Sequence, residues 1–146
     1  MNSRLCAWTS AAFLILAFSV RANEKPSDAF QKAMRDTGAA MQAVRSASKE
    51  IEDSGAGAQD YTPFETATAT MKTTFATTLD YWKAQKIDDA ATLASQAAKA
   101  VAELEAAARE RDYRLVLDAS TALGATCTAC HNAHRVRLPD GSYEIK

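Results

Sequence analysis

Residues 62–82 read TPFETATATMKTTFATTLDYW, and the spacing of their apolar side chains decides the fold. Phe64, Ala67, Met71, Phe75, Thr78 and Trp82 recur at intervals of three and four, the period of one face of an α-helix. The opening Thr62-Pro63-Phe64-Glu65 has the spacing of a capping box with a proline in the first turn, which predicts where this helix starts.

Three further segments carry the same period. Upstream, Phe30, Met34, Thr37, Met41, Val44, Ser48 and Ile51 form a stripe that begins after Pro26, with Ser27 as its predicted N-cap, and Ser54-Gly55-Ala56-Gly57 ends it. Downstream, a third helix is predicted from Asp88, read as its cap, to about Arg111, with Ala90, Ala94, Ala97, Val101, Leu104 and Ala108 facing inward. A fourth is predicted from Asp112, carrying Leu115, Val116, Ala119, Leu123, Cys127 and Cys130, and ending by Pro139 because proline cannot extend a helix. Asp140-Gly141 is then a turn, and residues 142–146 a short tail. A sheet would need sustained alternation of apolar and polar residues, and no segment supplies it. Four helices joined by short loops predict an all-α fold, an antiparallel up-down-up-down four-helix bundle.

The first 22 residues stand apart from that domain. A positive start at Arg4 precedes an apolar run from Leu5 to Val20, and Val20-Arg21-Ala22 offers the small residues that a signal peptidase reads. This is the pattern of a secretory signal peptide cleaved after Ala22, and it predicts a periplasmic location. An uncleaved anchor is the alternative, but the run is shorter than the roughly 20 residues that span a bilayer. The predicted mature domain, 23–146, is left with 15 basic and 18 acidic residues once Arg4 and Arg21 are gone from the 17 basic ones. That mildly acidic balance, with no basic stripe, argues against a nucleic-acid partner, and after cleavage nothing calls for a membrane. Of three cysteines, Cys6 leaves with the signal.

The remaining two stand in Cys127-Thr128-Ala129-Cys130-His131, the attachment pattern of a c-type haem. On a helix, residues three and four apart share a face, so the two thiols reach the vinyl groups of one porphyrin while His131 presents its imidazole to the iron. Cys127, Cys130 and His131 are thus predicted to hold a single covalent haem c. Three competitors fit less well. A disulfide three residues apart in a helix has poor geometry. A redox dithiol belongs at a helix N-terminus. A zinc site wants four ligands, and only His134 remains.

The sixth iron position is open between Met34, Met41 and no methionine ligand. In an up-down bundle the end of helix four lies beside the start of helix one, where Met34 is level with His131, and Met41 stands two turns further on, about 10 Å away. Methionines in such stripes also serve as plain core filling. Methionine ligation would saturate the iron for electron transfer, whereas an open position would suit a small gas ligand. Arg35 and Arg135 are candidates to pair with the haem propionates, or are solvated surface arginines. His134 is read as a surface or propionate-edge residue. Tyr81 and Trp82 are read as core packing, with a place beside the ring as the alternative, and Gly124 as a place where a ring edge or a partner helix comes close.

With its signal peptide, four helices and late attachment motif, the chain resembles the class II cytochromes c, the cytochrome c-prime superfamily. Cys127, Cys130, His131 and Arg135 match the family's motif, and His134 stands where an aromatic residue is common. The stretch from Leu138 to Gly141 is similar to a turn found in small secreted relatives of that family. The resemblance implies a helix-one methionine ligand in a low-spin branch, or five-coordinate iron in a high-spin branch, and often a homodimer through the first two helices. The family's arginine stands about one turn before the distal residue. Here Arg35 is followed four residues later by Ala39, so that register is not kept.

No nucleophile–base pair or carboxylate dyad accompanies the motif, so an enzyme is not expected. The sequence predicts a carrier that passes electrons to and from redox partner proteins. A binder of nitric oxide or carbon monoxide and a subunit using haem structurally are the alternatives.

Overall fold

The computed structural model describes residues 23–54 and 59–146. The segment predicted as a signal peptide, with Cys6, lies outside the described residues, as do Gly55 and Gly57. Four helices follow in order: α1 (Asp28–Ser54), α2 (Thr62–Gln85), α3 (Asp88–Glu110) and α4 (Tyr113–His134). They form the all-α four-helix bundle expected from their periodicity. Among the described residues, no helix is long and apolar enough to cross a membrane.

The boundaries have local causes. Ser27 Oγ accepts from the Phe30 amide at 3.2 Å, and Asp112 Oδ1 accepts from the Leu115 amide at 3.0 Å, so α1 and α4 are capped by side chains. The capping box predicted for α2 does not form. Tyr61 sits at the cap, Thr62 is already helical, and Asp60 accepts from the Thr62 amide at 2.9 Å in its place. Asp88 likewise lies inside α3, behind Ile87. Both α2 and α3 end alike. Lys86 (φ 56°) and Arg111 (φ 55°) adopt the left-handed conformation, and the amides of Ile87 and Asp112 reach back to the carbonyls of Trp82 and Ala107.

Close backbone packing joins α1 to α2, α2 to α3 and α3 to α4, whereas no comparable packing closes α1 onto α4. The predicted stripes of α2 and α3 are buried throughout. On α1 Phe30, Thr37, Val44 and Ile51 of the predicted stripe are buried together with Ala33, Ala40 and Ala47, whereas Met34, Met41 and Ser48 are half-buried on the flank. The alanines let α1 lie close on α2, and the longer Met34 and Met41 stand at the edge of that contact. Leu115, expected inside, is exposed, and Val116 takes the core position.

The main core includes Val44, Phe64, Met71, Leu104 and Leu123, with Met41 and Cys127 packed against it. A second, smaller cluster of Phe30, Trp82, Ala90 and Ala94 fills the end of the bundle where α4 stops, with Met34 and Cys130 against it.

Helix α4 ends at His134, short of Pro139. Residues beyond it form a hairpin of β1 (Arg135–Arg137) and β2 (Tyr143–Ile145), antiparallel, with Arg135 opposite Ile145. The short tail, whose conformation the sequence left open, therefore contains a strand. Proline preorganises the second position of the turn, the Gly141 amide donates to Leu138 O at 3.0 Å, and Gly141 takes φ +86° where a side chain would be strained. Asp140 Oδ1 accepts from the Ser142 amide at 2.9 Å. The hairpin also reaches the segment ahead of α1: the Glu24 amide donates to Ile145 O at 2.9 Å, and the Ile145 amide to Glu24 O at 2.8 Å.

Candidate functional site

The motif occupies the last two turns of α4. Cys127, Cys130 and His131 are all half-buried, and both thiols are free. Their direction follows from a contact at the other end of the helix. The Tyr113 hydroxyl lies 2.9 Å from Glu52 Oε1 and 3.1 Å from Ser48 O, so this face of α4 looks at α1. His131 is 18 residues from Tyr113, five full turns, and returns to the same face about 27 Å along. Met34 is 18 residues from Glu52 in the opposite direction and returns to the flank of α1 that meets α4. Because the helices run antiparallel, Met34 stands within about a turn of the level of His131. Met41 stands two turns higher, near Gly124.

The seam between these residues is fastened at both ends, by Tyr113 at one and by the Glu24–Ile145 bridge at the other. Between the fastenings the two backbones stay further apart than in the other neighbouring helix pairs. A Cβ on Gly38 or on Gly124 would meet nothing within 4 Å. No partner helix closes on Gly124, contrary to one expectation for it. Gly38 lies between Met34 and Met41 on the α1 flank, and Gly124 one turn before Cys127 on α4.

Burial sets the protonation of the motif. It pushes the Cys127 thiol up, and it pushes Cys130 up to about 11, with Cys127 and the Asp89 carboxylate adding to the effect. Both sulfurs are therefore protonated near neutral pH, unlike the thiolate of a redox dithiol at a helix N-terminus. Burial, helped by the Arg135 charge, lowers the pKa of His131, which favours the neutral imidazole that a metal requires. Among the described residues no three Cys, His, Asp or Glu side chains converge to hold a bare metal ion. The two thiols and the imidazole are spread along a helix edge, which suits an extended planar partner and not a tetrahedral ion.

The remaining predicted residues separate. Arg35 is exposed. Arg135 is exposed too, its guanidinium carbon 4.1 Å above the Tyr143 ring. His134 is not at the surface: it is buried, its ring 5.4 Å from that of Trp82, with Nε2 3.1 Å from Asp89 Oδ2 but not aligned as a hydrogen bond. Trp82 in turn packs on Phe30 of α1 (5.3 Å) and on Tyr81 (5.1 Å), so an aromatic floor underlies the motif end of the seam. Sequence reasoning missed the Tyr113 fastening and the Asp89–His134 approach. The only signal for the latter was Asp88-Asp89 opening one helix where a neighbouring helix ends in histidine.

Compared with family models, with curated proteins and with solved structures, the chain matches none.

Proposed function

We propose that the chain is an exported single-haem c-type cytochrome of the class II kind, working as an electron carrier in the periplasm. Cys127 and Cys130 hold the haem by thioether bonds, His131 ligates the iron, and Met34 is the sixth ligand. The observation that carries this reading is the seam. A Cys-x-x-Cys-His motif faces a gap between two helices that are joined at their ends and apart between them, with a methionine level with the histidine on the far side. The donor set fits the group: protonated, half-buried thiols on one helix edge, a neutral imidazole, and two helices whose backbones are not closely packed on each other.

Bound haem supplies a one-electron iron couple, whose potential a methionine–histidine pair raises. The chain's own residues do the rest. The two sulfurs fix the cofactor to α4, the lowered basicity of His131 keeps its ligating nitrogen free of a proton, and the core beneath the seam excludes water. Redox partner proteins dock where the seam opens to solvent. Export rests on residues 1–22, whose run and small-residue site support cleavage after Ala22.

The test is production in a host with cytochrome-maturation machinery, followed by a denaturing gel stained for haem peroxidase activity. A stained band whose cysteines resist alkylation is expected, and Cys127→Ala/Cys130→Ala removes the stain. A colourless wild-type band with both thiols alkylated ends the reading.

A further inference from the structure

His134 is a buried imidazole to which the haem reading gives no role. It is 8 % exposed, and its Nε2 has no hydrogen-bond partner. Asp89 Oδ2 lies 3.1 Å from that nitrogen without the alignment of a hydrogen bond. A bare imidazole nitrogen and a carboxylate both offer lone pairs, so the contact becomes favourable only when Nε2 carries a proton. Imidazole is also the side chain that ordinarily changes charge nearest neutral pH. Asp89 is 71 % exposed in its side chain, so the pair is buried at one end and open to solvent at the other.

The pair sits where a charge matters to the motif. His134 stands four residues after Cys130, on the same face of α4 and about 6 Å further along. Cys130 packs against the cluster of Phe30 and Trp82, and the His134 ring lies 5.4 Å from that of Trp82. After burial and Cys127, the Asp89 charge is what raises the Cys130 thiol, so its field reaches the attachment site. His134 closes α4 and Asp89 stands in the first turn of α3, the helix ends that favour a cation and an anion respectively. Around the imidazole stand Asp88 on α3, Cys130 and His131 on α4, and Arg135 and Lys146 beyond it; Phe30 of α1 and Trp82 of α2 do not titrate. Lys146 is engaged with backbone, its amide donating to His134 O at 3.2 Å and its Nζ to Asn132 O at 2.8 Å. The Arg135 guanidinium lies over the Tyr143 ring, and the ion-pair contact of His134 is with Asp89.

We infer that the His134–Asp89 pair is a proton-binding site linked to the redox state of the haem, so that the carrier takes up a proton as it takes up an electron. This rests on the haem reading above and deepens it. An electron arriving from a redox partner protein lowers the charge at the iron by one unit. A proton from solvent, admitted at the exposed carboxylate, forms an N–H bond at His134 and restores that unit nearby. Oxidation returns both, the electron to a partner and the proton to water. Linkage is reciprocal: the reduced protein holds the proton more tightly, and the protonated protein holds the electron more tightly.

Spectroelectrochemistry on the holoprotein gives the midpoint potential from about pH 5 to about pH 9, the range around the ordinary imidazole titration. The potential should fall as pH rises through the titration of His134. His134→Gln keeps a polar side chain that cannot titrate, and should flatten this fall. Asp89→Asn, at an exposed position, removes the charge that pairs with the imidazolium and should move the fall to lower pH. The chain has two histidines, and His131 is on the iron, so ring-proton NMR of the reduced protein reads His134 directly. Its midpoint should coincide with the pH at which the fall in potential ends. A potential indifferent to pH, a fall as steep in His134→Gln as in the wild type, or one unmoved in Asp89→Asn overturns the inference. If His134→Gln does not fold, Asp89→Asn and the NMR midpoint decide between these outcomes. Failure of the haem reading shows itself separately, as a wild-type protein with no covalent haem.

Discussion

A thiol, a second thiol three residues on and an imidazole next to it ask little of the rest of a sequence, which is why they are legible without a structure. Their surroundings decide what they do. Burial pushes Cys130 up to about 11, with Cys127 and the Asp89 carboxylate adding to the effect, which makes it a poor redox thiol and is compatible with the attachment proposed above. At the same scale Met34 and Met41 are separable. In the holoprotein, Met34→Ala should abolish a methionine–iron charge-transfer band and convert the iron to a form that binds carbon monoxide. Met41→Ala, two turns away, should leave the band in place. A band that survives Met34→Ala and vanishes in Met41→Ala reverses the assignment. Tyr113 gives a pH prediction. Burial, with the Glu52 carboxylate adding to it, raises its pKa from 10.0 to about 12, so the folded state favours the neutral phenol. A group whose pKa is raised on folding contributes stability that is whole below its unfolded pKa and is lost as pH rises through the folded one. Denaturant titrations should therefore show the protein weakening between pH 10 and about 12, with a shallower decline in Tyr113→Phe. That variant should also lose about 1 kcal/mol at neutral pH with its hydrogen bond.

Helices α2 and α3 end on lysine and arginine in a backbone conformation that glycine adopts freely. Lys86→Gly and Arg111→Gly should each stabilise the protein by about 1 kcal/mol, measured by urea denaturation. A loss in either would mean that its side chain contributes more than the backbone strain costs. The elements themselves were readable because a period of three and four survives any choice of partner. Their rotation was less so. Met34 and Ala33 both satisfy a helical stripe, and only the close approach of α1 to α2 decides that the alanine goes inward and the methionine to the flank. Caps were ambiguous for a similar reason. Thr62-Pro63-Phe64-Glu65 has the spacing of a capping box, yet Asp60 two residues earlier takes the amide of Thr62. The hairpin was hidden because each of its strands is three residues long and acquires meaning only by pairing with the other and with Glu24.

Taken as one body, the bundle is three tightly packed helix pairs and one loose one, and its two ends are held unequally. At the far end a tyrosine ring spans the seam. At the motif end the backbone link is two hydrogen bonds between Glu24 and Ile145. At about 1 kcal/mol net apiece, that latch opens for roughly 2 kcal/mol, so about one molecule in thirty is unfastened at any instant. Hydrogen exchange should show the amides of Glu24 and Ile145 exchanging far faster than those of Val101 or Leu104 in the core, and slowing once haem is attached. Equal protection at both places would mean that the latch does not open on its own. The asymmetry gives the fold a doorway with its hinge at the tyrosine end. On the proposed function, a flat, rigid guest would enter where the motif waits for it, without unfolding of the helices, and once sewn to α4 would become the wall that the bundle lacks.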